Sequence, residues 1–230
     1  MHAEPDDAAE ARICFEQIVP SALEAAGTKF WPAGATLRIC FLDGDPTVQE
    51  QVVAAAQTWT QYANIKFNFL TESDPEAHIR ISFQRRGSWS AVGRDALNRA
   101  AYGAGAPTMN YGWLKPSSPA DEYYVVLHEF GHALGLVHEH QSPASGIQWQ
   151  RDAVIADLSG PPNSWPVPYI EANVLDKYGA GTITQFTAFD PQSIMVYAIP
   201  GKWTVGGAAY PINKVLSASD IAFIQRCYPQ

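Results

Sequence analysis

The chain has 230 residues, 47% of them apolar, and a formal charge of −8 at pH 7. That length can bury a sizeable core, as one domain or as two subdomains around a cleft. The negative balance argues against a phosphate-binding surface and so against nucleic acid as a partner, and no apolar run approaches the ~20 residues of a membrane span. Lysine and arginine are scattered; the adjacent pair Arg85 and Arg86 reads as a solvated strand end.

The opening stretch Met1–Asp7 is acidic and polar, unlike a secretory signal. A leader already removed, export by another route and residence inside the cell all fit. Residues 1–30 read as an extension distinct from the rest of the chain, with an alanine-rich acidic tract and then Ile13-Cys14-Phe15. Thr36–Leu42 alternates and predicts a strand, closed by the turn-like Asp43-Gly44-Asp45-Pro46. Val48, Val52, Ala55, Ala56, Trp59 and Tyr62 form a helical stripe over 48–62. Ile65–Leu70 and His78–Phe83 alternate as strands, and Thr108–Trp113 predicts another short one. Tyr123–Leu127 is apolar and leads into a predicted buried helix, with Ser118 or Asp121 available as its cap. After Gln141, Pro143, Pro161, Pro162, Pro166 and Pro168 break up long elements, so short helices and loops are expected. Leu216–Tyr228 returns to helical order, with Ser217 or Ser219 as N-cap.

The chemistry is concentrated in His128-Glu129-Phe130-Gly131-His132-Ala133-Leu134-Gly135-Leu136-Val137-His138, the pattern H-E-x-x-H-x-x-G-x-x-H. His128 and His132 are four residues apart, so a helix projects both imidazoles from one face. Gly135 can adopt the left-handed conformation that ends a helix without steric cost, which lets His138 return to the same point. Three histidines leave a tetrahedral zinc ion one open position, and Glu129 stands beside it as a general base. A structural zinc is the rival reading. It would close its shell with a fourth side chain, often cysteine, and would have no use for Glu129.

These residues resemble the metzincin metallopeptidases, which also carry a methionine turn downstream. Ser193-Ile194-Met195-Val196-Tyr197 looks like that turn in the form used by the astacin branch. Glu139 after the third histidine, Gly87–Arg94 and Leu216–Ile221 are astacin-like as well, and the resemblance covers roughly residues 31–230. It implies an α+β catalytic domain. An N-terminal twisted mixed sheet with two long helices would lie above an active-site cleft, and a loop-rich half ending in a helix below it. The boundary between upper and lower subdomains is expected at 138/139. It further implies a zinc endopeptidase with one catalytic ion on His128, His132 and His138, Glu129 as base, and a peptide or protein as substrate. Tyr197 would reach the metal in the resting enzyme and swing to the oxyanion; the plain reading of Tyr197 is a core aromatic. Met195 would pack as an apolar floor under the metal. The family also suggests secretion, and a monomer is expected. The alternative function is a latent precursor, or an idle binding protein on the same fold.

Three cysteines cannot all pair internally. By resemblance a Cys40–Cys227 disulfide would tie the C-terminal region to the sheet; buried free thiols are the other reading. Ser88 and Asn64 stand where typical astacins carry cysteines, so the usual two-bridge framework is absent. In astacins the glutamate matching Glu139 meets the new amino terminus made by propeptide removal; here it could instead pair with a neighbouring group. His140 is expected to support the turn, and His78 to begin a strand. Cys14 would be a packed or surface thiol, or a latch on the zinc, although Arg12–Glu16 matches no metzincin latch motif.

Overall fold

The computed structural model describes residues 15–17, 29–161, 163–178 and 188–230. Cys14, and with it the expectation of a latch, lies outside the described residues.

Alternating apolar residues build one mixed sheet from β1 (Phe15–Gln17), β2 (Thr36–Phe41), β3 (Lys66–Phe69), β4 (Ile79–Ser82), β5 (Ser88–Ala91) and β6 (Met109–Tyr111). The strand order is β1-β5-β6-β4-β2-β3, and every neighbouring pair is parallel except β5 with β6. The register sets Ile39 beside Phe69 and Ile79, and Ile81 beside Met109. Period-two geometry then places Leu37, Ile39, Ile79 and Ile81 in the buried core.

The first helix, α1 (Pro46–Ala56), starts where Asp45 accepts a 2.8 Å bond from the Thr47 N–H and proline occupies the first turn. Val48, Val52 and Ala56, spaced by four, are its buried stripe. The helix stops short of the expected Tyr62 and tightens into a 3₁₀ turn at Trp59–Gln61. That turn buries Trp59, whose indole Nε1 donates to the Leu127 carbonyl at 2.9 Å.

The second helix, α2 (Tyr124–Ala133), runs through the core: every residue from Val125 to Ala133 is buried. Phe130 meets Phe67 of the sheet at a ring separation of 5.2 Å. Neither Ser118 nor Asp121 caps it. The chain enters through a 3₁₀ turn at Ala120–Tyr123, so the preceding Tyr123 (φ −71°, ψ 3°) lacks the extended geometry of a side-chain cap. The Ser118 hydroxyl instead accepts from the Lys115 N–H, and Asp121 pairs with Lys214.

The C-terminal half holds α3 (Arg151–Ser159), the single turn α4 (Val167–Ile170) with a wide turn at Glu171–Leu175, and α5 (Ala218–Cys227). Ser217 caps α5 in a reciprocal box with Asp220.

Cys40 is a buried free thiol whose Sγ contacts the Asp74 carbonyl at 3.5 Å, so no Cys40–Cys227 bridge forms. The tail is held by hydrogen bonds instead. The Asn64 N–H donates to the Tyr228 carbonyl at 3.0 Å, and the Asn64 amide to the Pro229 carbonyl at 2.8 Å. The fully buried Tyr228 hydroxyl donates to the Leu134 carbonyl at 2.6 Å and accepts from the Trp31 N–H at 3.2 Å. Tyr228→Phe strands both of those partners in a dry interior. The expected loss is about 1–3 kcal/mol of unfolding free energy, read from urea denaturation.

Candidate metal centre

The end of α2 decides the geometry of the site. Gly135 takes φ +99°; its N–H bonds the His132 carbonyl at 2.7 Å, and the Leu136 N–H bonds the Gly131 carbonyl at 3.0 Å. This pair of bonds is the Schellman closure, which a β-carbon would strain. The chain reverses and His138 comes back beside the helix.

The structure brings His128, His132 and His138 together, all buried. Their Nε2 atoms form a near-equilateral triangle: His128 to His132 is 3.1 Å, and His138 is 3.2 Å from each. Each ring is oriented from behind. Nδ1 of His128 donates to the Ile194 carbonyl at 2.8 Å, and Nδ1 of His132 to the Leu136 carbonyl at 2.9 Å. Nδ1 of His138 lies 3.4 Å from the Gln141 Oε1. A carbonyl can only accept, so the proton sits on Nδ1 and the bare Nε2 faces the centre of the triangle. Tetrahedral zinc with bonds of about 2.0–2.1 Å needs nitrogens about 3.3–3.4 Å apart. The donor set therefore fits the ion, in number, element and spacing.

Burial is the largest cause that lowers the pKa of all three histidines, to about 4 at His128 and well below 6.5 at the other two. They are neutral at pH 7, as metal ligands must be. Glu129 is fully buried next to His128. Tyr197 is 5% exposed, and its ring centroid stands 4.2 Å from that of His138 and 6.1 Å from that of His128. Met195 lies against the middle of α2: a β-carbon on Gly131 would come within 2.4 Å of its Sδ. Glycine at position 131 thus lets the methionine turn approach between the two helical histidines.

His140 is fully buried, with its ring 5.0 Å from His138 and 4.5 Å from Tyr197, and its Nε2 3.4 Å from the Asn173 carbonyl. It packs behind the three clustered histidines. His78 accepts from the Arg38 N–H at 2.9 Å, away from the centre.

Sequence reasoning passed over Gln141 and Asp220. Gln141 donates its amide to the Ala172 and Asp176 carbonyls at 2.8 and 3.0 Å, which leaves Oε1 for His138. Its position three residues after His138 was a weak local signal. Asp220 is 5% exposed and accepts from the Ser193 hydroxyl at 2.6 Å, the Ile194 N–H at 2.8 Å and the Ser217 N–H at 2.9 Å. Burial raises its pKa, and those hydrogen bonds pull it back. Glu139 accepts from the Asp190 N–H at 3.0 Å, and burial above all lifts it to about 7.

The buried histidines set an acid limit. Their folded pKa values lie below the unfolded 6.5, so the unfolded chain binds more protons as pH falls, and stability is lost in that direction. Each such group contributes up to about 1.4 kcal/mol per pH unit between its two pKa values. The metal-free chain is therefore expected to lose stability from pH 7 toward pH 5, measured by chemical denaturation after chelation. A flat profile over that window contradicts the assignment of neutral buried imidazoles.

A family model described as Astacin, a peptidase family, matches residues 24–201. The structure of myroilysin is similar with a TM-score of 0.82 and 38% identity, covering 88% of this chain and 97% of that one. The medaka (Oryzias latipes) hatching enzyme HCE-1, a zinc-protease, shares the fold at a TM-score of 0.58 and 17% identity, over 86% of this chain and 94% of that one. Bone morphogenetic protein 1 of Xenopus laevis is 24% identical over 219 residues, 87% of this chain and 27% of that protein. Tolloid-like protein 1 of Homo sapiens is 27% identical over 127 residues, 54% of this chain and 11% of that protein. The chain thus spans less than a third of the length of these curated relatives. With a matched family model over most of its length and three converging imidazoles, the chain belongs to the astacin family of peptidases and carries the zinc-metallopeptidase domain of that family.

Proposed function

We propose that the chain is a zinc endopeptidase that hydrolyses peptide bonds with Glu129 as general base. The observation that carries this reading is the triangle of bare Nε2 atoms held by three Nδ1 hydrogen bonds. His128, His132 and His138 would hold the zinc, which when bound would lower the pKa of its water toward ~7 and polarise the substrate carbonyl. Glu129 then takes the proton of the attacking water and passes it to the departing amine. The buried surroundings of Glu129 exclude competing water and strengthen its electrostatic pull on that proton. Tyr197, packed on His138, donates its hydroxyl to the developing oxyanion, a role supported by its place in the astacin-like pentapeptide.

Glu129→Ala is the direct test. The variant keeps the ligand set, so it should retain one zinc per chain, and it loses the proton shuttle. Turnover of a casein or peptide substrate should fall by about 10²–10⁴-fold or more. Near-normal turnover refutes the role of Glu129, and loss of zinc would place Glu129 in the ligand shell instead.

A second reading, latency of the full chain, has one specific observation in its favour. β1 pairs in parallel with β5, setting Phe15 beside Trp89, Glu16 beside Ser90 and Gln17 beside Ala91. β5 leads through Val92 and Gly93 toward the end of α2, where the Arg94 N–H bonds the Lys29 carbonyl at 2.8 Å. An extended peptide recognised by strand addition needs such an edge, and β1 already holds it. The segment before Lys29 is therefore a pro-segment in this reading. Lys29 itself is anchored in the domain by a 2.8 Å ion pair with Asp95. Removing residues 1–28 should raise turnover of a peptide substrate, because it frees the recognition edge. Equal turnover with and without the segment removes latency and leaves the endopeptidase reading intact.

A further inference from the structure

The polar groups beneath the methionine turn form a chain that leads from a buried carboxylate to a metal ligand. Nδ1 of His128 donates to the Ile194 carbonyl at 2.8 Å. That carbonyl belongs to the same peptide unit as the Met195 N–H, which donates to the Ser193 Oγ at 3.0 Å. The Ser193 hydroxyl donates in turn to the Asp220 carboxylate at 2.6 Å. His128, Ser193 and Met195 are all buried, as is Asp220, so no bulk water competes along the path.

The direction of the bonds is uniform. Every donor points toward Asp220, and each acceptor is made more electron-rich by the bond beyond it. The carboxylate draws the Ser193 proton and makes Oγ a better acceptor. The Met195 N–H bonds it more strongly, which enlarges the dipole of the shared peptide and the negative charge on the Ile194 oxygen. That oxygen pulls harder on the His128 proton and makes Nε2 more basic. Hydrogen bonds that polarise one another in a dry interior strengthen cooperatively. A carboxylate behind a ligating histidine is the usual device for orienting the ring and raising its basicity. Here a serine and a peptide unit stand between the two.

The second anchor fixes the geometry. The other Asp220 oxygen accepts from the Ile194 N–H at 2.8 Å. The same carboxylate thus grips the residue that supplies the acceptor, on the opposite side from His128. The other two ligands lean on groups nearer in the chain: His132 on the Leu136 carbonyl of its own helix end, and His138 on Gln141. His128 is the histidine whose acceptor is held by the methionine turn and the final helix.

We propose that Asp220 and Ser193 are positioning residues for the metal, acting through the Ile194–Met195 peptide on His128 to set zinc affinity. The inference rests on the metal site proposed above. It goes beyond that reading by placing a determinant of affinity in residues that touch neither metal nor substrate.

Ser193→Ala is the cleaner variant, because Asp220 also belongs to the capping box of α5. Zinc affinity is measured on the metal-free full-length chain by competition with a chromophoric chelator. Loss of such an outer partner is worth about 10–100-fold, and Ser193→Ala and Asp220→Asn should both weaken zinc by that factor. Ser193→Thr keeps the hydroxyl and should return affinity to within about threefold of wild type, below the ~10–100-fold loss expected of the other two variants. The melting temperature of each metal-free variant is read in parallel. If Ser193→Ala lowers that temperature while the folded chain keeps wild-type affinity, the serine is only structural and the relay is overturned. Wild-type affinity with an unchanged melting temperature overturns it equally. His128→Ala separates the two readings. If that variant binds zinc as tightly as wild type, the metal site itself is wrong; if it loses zinc while Ser193→Ala does not, only the relay fails.

Discussion

Everything at the centre depends on where α2 ends. A helix buried on all sides has no solvent to satisfy its last carbonyls, and an orphan carbonyl in a dry core costs as much as a lost hydrogen bond. Here each of them has a partner. The Schellman turn at Gly135 takes the carbonyls of Gly131 and His132. The Trp31 indole takes that of Ala133 at 2.8 Å, and the Tyr228 hydroxyl that of Leu134. Two residues near opposite ends of the domain thus close one helix terminus. The same turn returns His138 to the side of His128 and His132, so helix termination and the placing of the third imidazole are a single structural event. His132 shows how tight the coupling is: its ring is oriented by Leu136, which is itself part of the turn.

The lower half of the molecule has few regular elements and is organised by carboxylates instead. Glu139 follows His138 and takes the Asp190 N–H; Asp190 accepts from the Ser217 hydroxyl at 2.7 Å; Ser217 and Asp220 cap α5 reciprocally. Asp220 then holds Ser193 and Ile194 of the methionine turn. The loops on which the three clustered histidines lean are in this way tied to the final helix by directional bonds, where a larger apolar core would otherwise be needed. The cost is electrostatic. The negative charges of Asp190 and Asp220 add to burial in raising Glu139, and the desolvation of Asp220 is offset only by the donors aimed at it.

The legible parts of the sequence were those governed by local spacing. A four-residue step fixes two histidines on one helical face, glycine permits the reversal, and period-two alternation marks β2, β3 and β4 within a residue or two of their ends. The start of α5 was legible for the same reason, with Ser217 as one of two candidate caps, whereas its reciprocal partner Asp220 was passed over. What escaped was set by distance along the chain. The bond from Ser193 to Asp220 spans 27 residues, that from Tyr228 to Leu134 spans 94, and neither leaves a periodic trace. The entry to α2 departs from expectation because a good capping residue in sequence is only an option; the 3₁₀ turn kept the backbone helical and gave Asp121 to Lys214.

The absent disulfide follows the same logic. A covalent tie between the C-terminal helix and the sheet would act mainly on the unfolded chain, by shortening a long loop. This chain places Cys40 in the sheet as a packed thiol and holds its tail through Asn64, Tyr228 and Trp31. Those bonds act on the folded state, and they terminate on the backbone at the end of α2 and at the strand entry at Ala63–Ile65. Anchoring the tail and closing the end of α2 are therefore one interaction, independent of the redox state of Cys40. A disulfide could have supplied the first function alone; the Tyr228 hydroxyl, by reaching Leu134, supplies both.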